Sequence, residues 1–161
     1  MGIFTTALLF IGPSYVANAA PLVFGGGRPL DGGRNFLDGE PVFGSHKTVR
    51  GLIVGIIAGS VLGAVESLFD SRLFVAGFMI AIGAVLGDLL GAFVKRRLRI
   101  KPGNQFPIID QLDFVFGGLA LGLFFLPMSL LSILTVVLVT PPIHLGTNYG
   151  AYLLGLKKTR L

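Results

Sequence analysis

Three aspartates and a run of basic residues hold most of the chemistry this sequence offers. Asp88 sits inside an apolar stretch, about two helical turns before its end, and Asp110 and Asp113 stand three apart where the next apolar stretch begins. Three-residue spacing on a helix aims both carboxylates from one face. Between them lies segment 95–111, with Lys95, Arg96, Arg97, Arg99 and Lys101. Clustered carboxylates need a cation, and oxygen ligands without His or Cys favour a hard one, Mg2+ or Mn2+. Such an ion beside lysines and arginines suits phosphoryl or nucleotidyl transfer. Each acid also has a plainer reading. A carboxylate at the depth of Asp88 costs roughly 3 kcal/mol unless paired or metal-bound, and Lys95, seven residues on, shares roughly its helix face. Asp110 and Asp113 at a helix start would complement the helix dipole.

A second group of candidates lies in segment 25–50. It runs through Gly25-Gly26-Gly27, Asp31-Gly32-Gly33 and Asp38-Gly39 to Gly44-Ser45-His46-Lys47-Thr48-Val49-Arg50. Gly-Lys-Thr is absent, so a Walker-type loop is not matched. Glycines with Lys47 and Thr48 at a helix start still suit a polyphosphate, through exposed N–H groups and the helix dipole. An interfacial loop whose bases hold anionic lipid headgroups suits the same residues equally well. His144 and Asn148, four apart, read as a polar contact between helices. A zinc site is excluded, because the chain has two histidines in separate segments and no cysteine. Nucleic acid is not suggested, since no aromatic stacking surface accompanies the bases.

The elements that position these residues are membrane helices. Hydrophobic residues make up 53% of the 161, charged residues 13%, and mean hydropathy is +0.82, whereas soluble domains carry about 25% charge. A helix crosses the hydrocarbon with about 20 apolar residues. Candidate spans are 1–24, 51–69, 72–94, 112–126 and 128–143, the last two parted by Pro127 and equally readable as one kinked helix. The expectation is an all-α integral membrane protein of about five transmembrane helices. It forms one catalytic domain over 1–161, with cytoplasmic loops 25–50 and 95–111. The first span has no basic residue ahead of it and contains Pro13 and Asn18, which argues against a cleaved signal peptide. Glu66 and Asp70 fall at the opposite side and read as structural. Gly51, Gly55, Gly59 and Gly63 recur every fourth residue, as do Gly83, Gly87 and Gly91. That spacing lets helix backbones approach closely. A transporter would place ionisable residues near mid-membrane, where this chain has almost none. A lipid-binding protein without catalysis would not need three acids beside five bases.

The motifs resemble the archaeal CDP-archaeol synthase family over nearly the whole chain. They are Pro13-Ser14-Tyr15-Val16-Ala17-Asn18, Pro29-Leu30-Asp31-Gly32-Gly33, Asp38-Gly39 and the stretch from Gly44 to Gly51. Gly87-Asp88-Leu89, Lys95-Arg96-Arg97, Asp110-Gln111-Leu112-Asp113, His144 with Asn148, and Gly155-Leu156-Lys157 follow in order. The family is similar to the CDP-diacylglycerol synthases, whose signature is matched by Lys95-Arg96, Lys101, and Asp110 with Asp113. This chain departs from it at Leu86 in place of Ser, at Pro102 in place of Asp, and in a reduced glycine stretch, Pro102-Gly103-Asn104-Gln105. The resemblance implies transfer of CMP from CTP to 2,3-bis-O-geranylgeranyl-glycerol 1-phosphate in the cell membrane, with the site facing the cytoplasm. It points to Mg2+ or Mn2+ at Asp88, Asp110 and Asp113, and to Lys47, Lys95 and Arg96 as catalytic, with Arg50 and Arg97 beside the phosphates. Asn18, Asp31, Asp38 and Thr48 would bind the nucleotide or position the loop. The prenyl chains would lie between glycine-faced helices.

Twelve of the 13 basic residues fall in segments 25–50, 95–111 and the tail holding Lys157, Lys158 and Arg160. Five spans put all three segments on one side, and basic segments stay cytoplasmic. The N-terminus is then outside and the C-terminus inside. Single cysteines introduced at Ser45, Asn104 and Thr159 should label from the cytoplasm, and one at Ser71 from outside. Outward labelling at Thr159 would contradict the five-span topology.

Overall fold

The computed structural model describes residues 2–101, 104, 106 and 108–156. Pro102, Gly103 and Gln105 of the reduced glycine stretch and the basic tail Lys157, Lys158 and Arg160 lie outside them. Five helices follow in order: α1 (Ile3–Phe24), α2 (Val49–Glu66), α3 (Arg72–Arg97), α4 (Ile109–Gly122) and α5 (Leu130–Leu153). All but α4 are long and apolar enough to cross a membrane. At 14 residues α4 is about 21 Å long, short of the ~30 Å hydrocarbon. One further turn extends it, with the Phe125 and Leu126 N–H groups donating to Gly122 O. Pro127 then ends the run, and Ser129 caps α5 by accepting from Ser132 N at 3.1 Å. Residues 112–143 are therefore two helices. Large apolar side chains such as Phe4, Leu68, Phe124 and Leu138 stand exposed around the bundle, as a lipid-facing surface requires.

Helix α3 is a central element, packing against α1, α2 and α4; α1 touches all four other helices, and among the described residues α5 meets α1 and α4. The glycine ladders explain that order. On α2 all four glycines are buried. A Cβ at Gly55 would stand 2.7 Å from Ala17 O of α1, and one at Gly63 would stand 2.6 Å from Gly77 Cα of α3. On α3, Gly83 and Gly87 meet the backbone of Gly117 and Asp113 so closely that a Cβ would overlap it. Tyr15 Oη of α1 donates to Thr140 O of α5 at 2.9 Å and ties the two helices together. At the end of the bundle away from the loops, Asp70 pairs with Arg72 at 2.6 Å. Glu66 is only 9% exposed and lies against Gly12 of α1.

These contacts predict different outcomes for similar substitutions. Gly63→Val places a branched side chain into the Gly77 backbone and should destabilise by about 1–3 kcal/mol or more, read as a lower melting temperature in detergent. Gly146→Ala on α5 has nothing within 4 Å and should be neutral or slightly stabilising. Equal melting of the two variants would contradict the packing.

Candidate active site

Segment 25–48 is more ordered than an irregular connection. Two antiparallel bridges, Pro29 with Thr48 and Asn35 with Pro41, fold it back on itself. Leu30 N donates to Lys47 O at 2.7 Å, and Phe36 N to Glu40 O at 2.8 Å. Asp31 fastens the two arms together. Its Oδ1 accepts from Gly33 N at 2.9 Å, and its Oδ2 from Phe43 N at 3.0 Å and Gly44 N at 2.9 Å. Gly33 and Gly44 hold φ of 77° and 95°, a region open to glycine, and this aims their N–H groups at the carboxylate. Burial pushes the Asp31 carboxyl up, but the backbone N–H bonds outweigh it and hold the pKa below its ordinary value. Thr48 caps α2, its Oγ1 accepting from Gly51 N at 3.0 Å, and so fixes where Lys47 leaves the helix.

Lys47 reaches from this segment to α3. Its Nζ lies 2.6 and 2.5 Å from the two carboxylate oxygens of Asp88. A second pair joins α3 to the start of α4, Lys95 Nζ to Asp110 Oδ1 at 2.6 Å, while Asp110 Oδ2 accepts from Phe106 N at 2.9 Å. Asp113 Oδ1 accepts from Phe114 N at 2.6 Å, and its Oδ2 occupies the space a Cβ on Gly91 would fill. Asp113 lies within electrostatic reach of Asp88, Lys47 and Asp110. Arg96 is 3% exposed and lies within reach of Asp110 and Glu40. Its Nε and Nη1 have no hydrogen-bond partner among the described residues. Arg97 turns to the loop, with Nε 2.6 Å from Asp38 Oδ2 and Nη2 donating to Pro41 O at 2.7 Å. Arg50 is exposed, and Asn18 is half-buried on α1. His144 contacts Asn148 at 3.3 Å on α5 and packs near the Phe114 ring, with centroids 5.9 Å apart.

One expectation is corrected by this geometry. Lys95 is not the partner of Asp88 but of Asp110, because Lys47 arrives from the loop and takes both Asp88 oxygens. Among the described residues no group of three or more carboxylates or imidazoles is gathered closely enough to hold an ion. Lys47 and Lys95 neutralise Asp88 and Asp110. The donor chemistry still fits a hard divalent cation, since all three groups are carboxylates that act on one another electrostatically. Asp31 positions the loop, one of the two roles the resemblance implied, while the cap at Thr48 was not read from the sequence. Asp followed by Gly-Gly and Thr before an apolar run are signals for both.

An apolar groove of about 520 Å3 runs between α3 and α4. Gly87 and Gly91 lie along it between Leu86, Leu90 and Phe116, and Asp113 is its acid. Leu86, Leu90 and Phe116 are exposed, so the groove opens on the lipid-facing surface. It joins that surface to the charged cluster through one carboxylate.

Comparison with known proteins agrees with this arrangement. The CarS-like family model, described as CDP-archaeol synthase, matches residues 1–160. The chain is 41% identical to the CDP-archaeol synthase of Methanocaldococcus jannaschii, over 94% of this chain and 93% of that protein. It is 44% identical to that of Thermofilum pendens, over 94% and 78%. A solved structure described as "Structural insight into an intramembrane enzyme for archaeal membrane lipids biosynthesis" superposes with a TM-score of 0.84 at 38% identity, covering 88% of this chain and 92% of that one. The family model spans all five helices and the loop between α1 and α2, and the chain belongs to the CDP-archaeol synthase family.

Proposed function

We propose that this membrane enzyme transfers CMP from CTP to an ether-linked prenyl glycerol phosphate, forming CDP-archaeol with unsaturated chains and pyrophosphate. The observation that carries the reading is the groove between α3 and α4, which brings the lipid-facing surface to Asp113 within charge reach of Lys47 and Asp88. Prenyl chains suit its apolar walls, and the phosphate at their head would reach the charged cluster. One phosphate oxygen of the lipid attacks the α-phosphorus of CTP. The bond from that phosphorus to the bridging oxygen breaks, and pyrophosphate leaves with the electron pair. The attacking oxygen is already anionic, so no general base is required. The barrier is repulsion between anions, which preorganised cations relieve. Lys47, Lys95 and Arg96 are the cations placed for it, and the unpartnered Nε and Nη1 of Arg96 suit a phosphate oxygen. Arg50 is exposed at the same end and would meet the nucleotide from outside.

The lysine–aspartate pairs fit a resting state. When a triphosphate arrives, Lys47 and Lys95 gain a stronger partner, and Asp88 and Asp110 lose theirs. With Asp113, the released carboxylates would hold Mg2+ or Mn2+, which would supply charge neutralisation to the triphosphate. The positive-inside pattern puts this end of the bundle at the cytoplasmic face of the cell membrane, where CTP is available.

Asp110→Asn and Asp113→Asn separate this reading from helix capping, and Asp88→Asn tests the third acid, whose plainer role is the ion pair with Lys47. Asn caps nearly as well as Asp, so a capping role leaves turnover intact. A site role predicts that each variant inserts in the membrane yet loses CTP turnover on the order of a hundredfold. The check is a Mg2+ titration of each variant beside the parent. A variant with parental rate and Mg2+ dependence removes that residue from the site, and parental behaviour in all three contradicts the mechanism.

A further inference from the structure

We propose that Arg97 is a positioning residue, a clamp that holds segment 25–48 against the end of α3 and so sets where Lys47 stands for CTP. The proposal deepens the reading of CTP as the nucleotide and rests on it. The resemblance placed Arg97 among the phosphate contacts, but its guanidinium lies beside two aromatic rings and faces the loop along one edge. Its centre lies 4.9 Å from the Phe36 ring of the loop and 4.6 Å from the Phe93 ring of α3. The two rings meet edge to face, with centroids 5.2 Å apart. Nε faces Asp38 at 2.6 Å, and Nη2 donates to Glu40 O at 3.2 Å and Pro41 O at 2.7 Å. One side chain thus gathers an aromatic ring, a carboxylate and two carbonyls from the loop tip. A planar fork that also stacks is required for this, and lysine provides neither property.

The consequence concerns Lys47. Asp31 fastens the arms of the segment, so tip and root move as one body. That body is anchored to α3 at two places, by Arg97 at the tip and by Lys47 on Asp88 at the root. Nine residues of helix separate the anchors, about 14 Å. If Lys47 leaves Asp88 for a phosphate, the root anchor is gone. The segment then stays seated through its tip, by Arg97 and by Phe36 on Phe93. The clamp lets Lys47 change partner without the loop lifting away.

The test compares Arg97→Lys with Phe36→Ala, a loop variant that removes one stacking face. Two readouts are taken, hydrogen exchange of residues 34–42 without nucleotide, and KM and kcat for CTP. A clamp predicts faster exchange in both variants. It also predicts a KM for CTP raised by about tenfold, the scale of losing stacked and forked contacts, with a much smaller fall in kcat. Direct phosphate binding by Arg97 predicts parental exchange in Arg97→Lys and no KM change in Phe36→Ala, and that result overturns the proposal. The exchange readout needs no turnover, so parental exchange in both variants refutes the clamp whatever the nucleotide. Faster exchange with an unchanged KM for CTP refutes the link from the clamp to Lys47. A parent protein that turns over no CTP is instead a failure of the proposed reaction.

Discussion

Charged side chains at the rim of a hydrocarbon layer are stable only when they are neutralised where they stand. In this protein two lysine–aspartate pairs meet that requirement, and both join separate elements. Lys47 on Asp88 fixes the loop to α3, and Lys95 on Asp110 fixes α3 to the start of α4. The loop, the central helix and the short helix therefore converge on one charged cluster. Asp113, within reach of three of these charges, is the point at which the cluster meets the apolar groove. In the proposed mechanism the same neutralisation would hold its lysines ready for a stronger anion.

The absence of side chains matters as much as their presence. Gly83 and Gly87 let α4 approach the α3 backbone more closely than any Cβ would allow, and Gly91 leaves the space that Asp113 Oδ2 occupies. The same three glycines line the groove. One ladder thus sets the helix spacing, positions an acid and leaves a channel open to lipid. A soluble fold would fill such a channel to native density. Here the bilayer can fill it, and the proposed substrate is itself a lipid.

Much of this was legible in the chain. Apolar length gave the helices, Pro127 marked the break before α5, and four-residue glycine spacing announced close packing. The limits lay in what periodicity does not encode. A ladder does not say which helix it faces, and Gly63 against Gly77 is a pairing of two elements. Lys95 shares a helix face with Asp88, so local spacing suggested that pair. The actual partner, Lys47, is 41 residues away in sequence and reaches Asp88 only because the loop folds back. Arg97 likewise reads as one more base in a basic run, and its contacts lie 56 and 57 residues away. The three acids were found, but their partners decide their arrangement, and those partners come from other elements.

The central claim is that Lys47 and Asp88 belong to the nucleotide site and are not merely a brace. Removing one member of such a pair strands the other charge, so either single variant, Lys47→Met or Asp88→Asn, should melt lower than the parent. Removing both relieves the stranded charge, and the double variant should recover most of that stability. The decisive measurement is equilibrium binding of CTP with Mg2+ to the double variant, beside its melting temperature. The account predicts recovered melting with binding still weakened at least as much as in the worse single variant. Parental CTP binding that returns together with stability would contradict it, and would leave the pair as a brace alone.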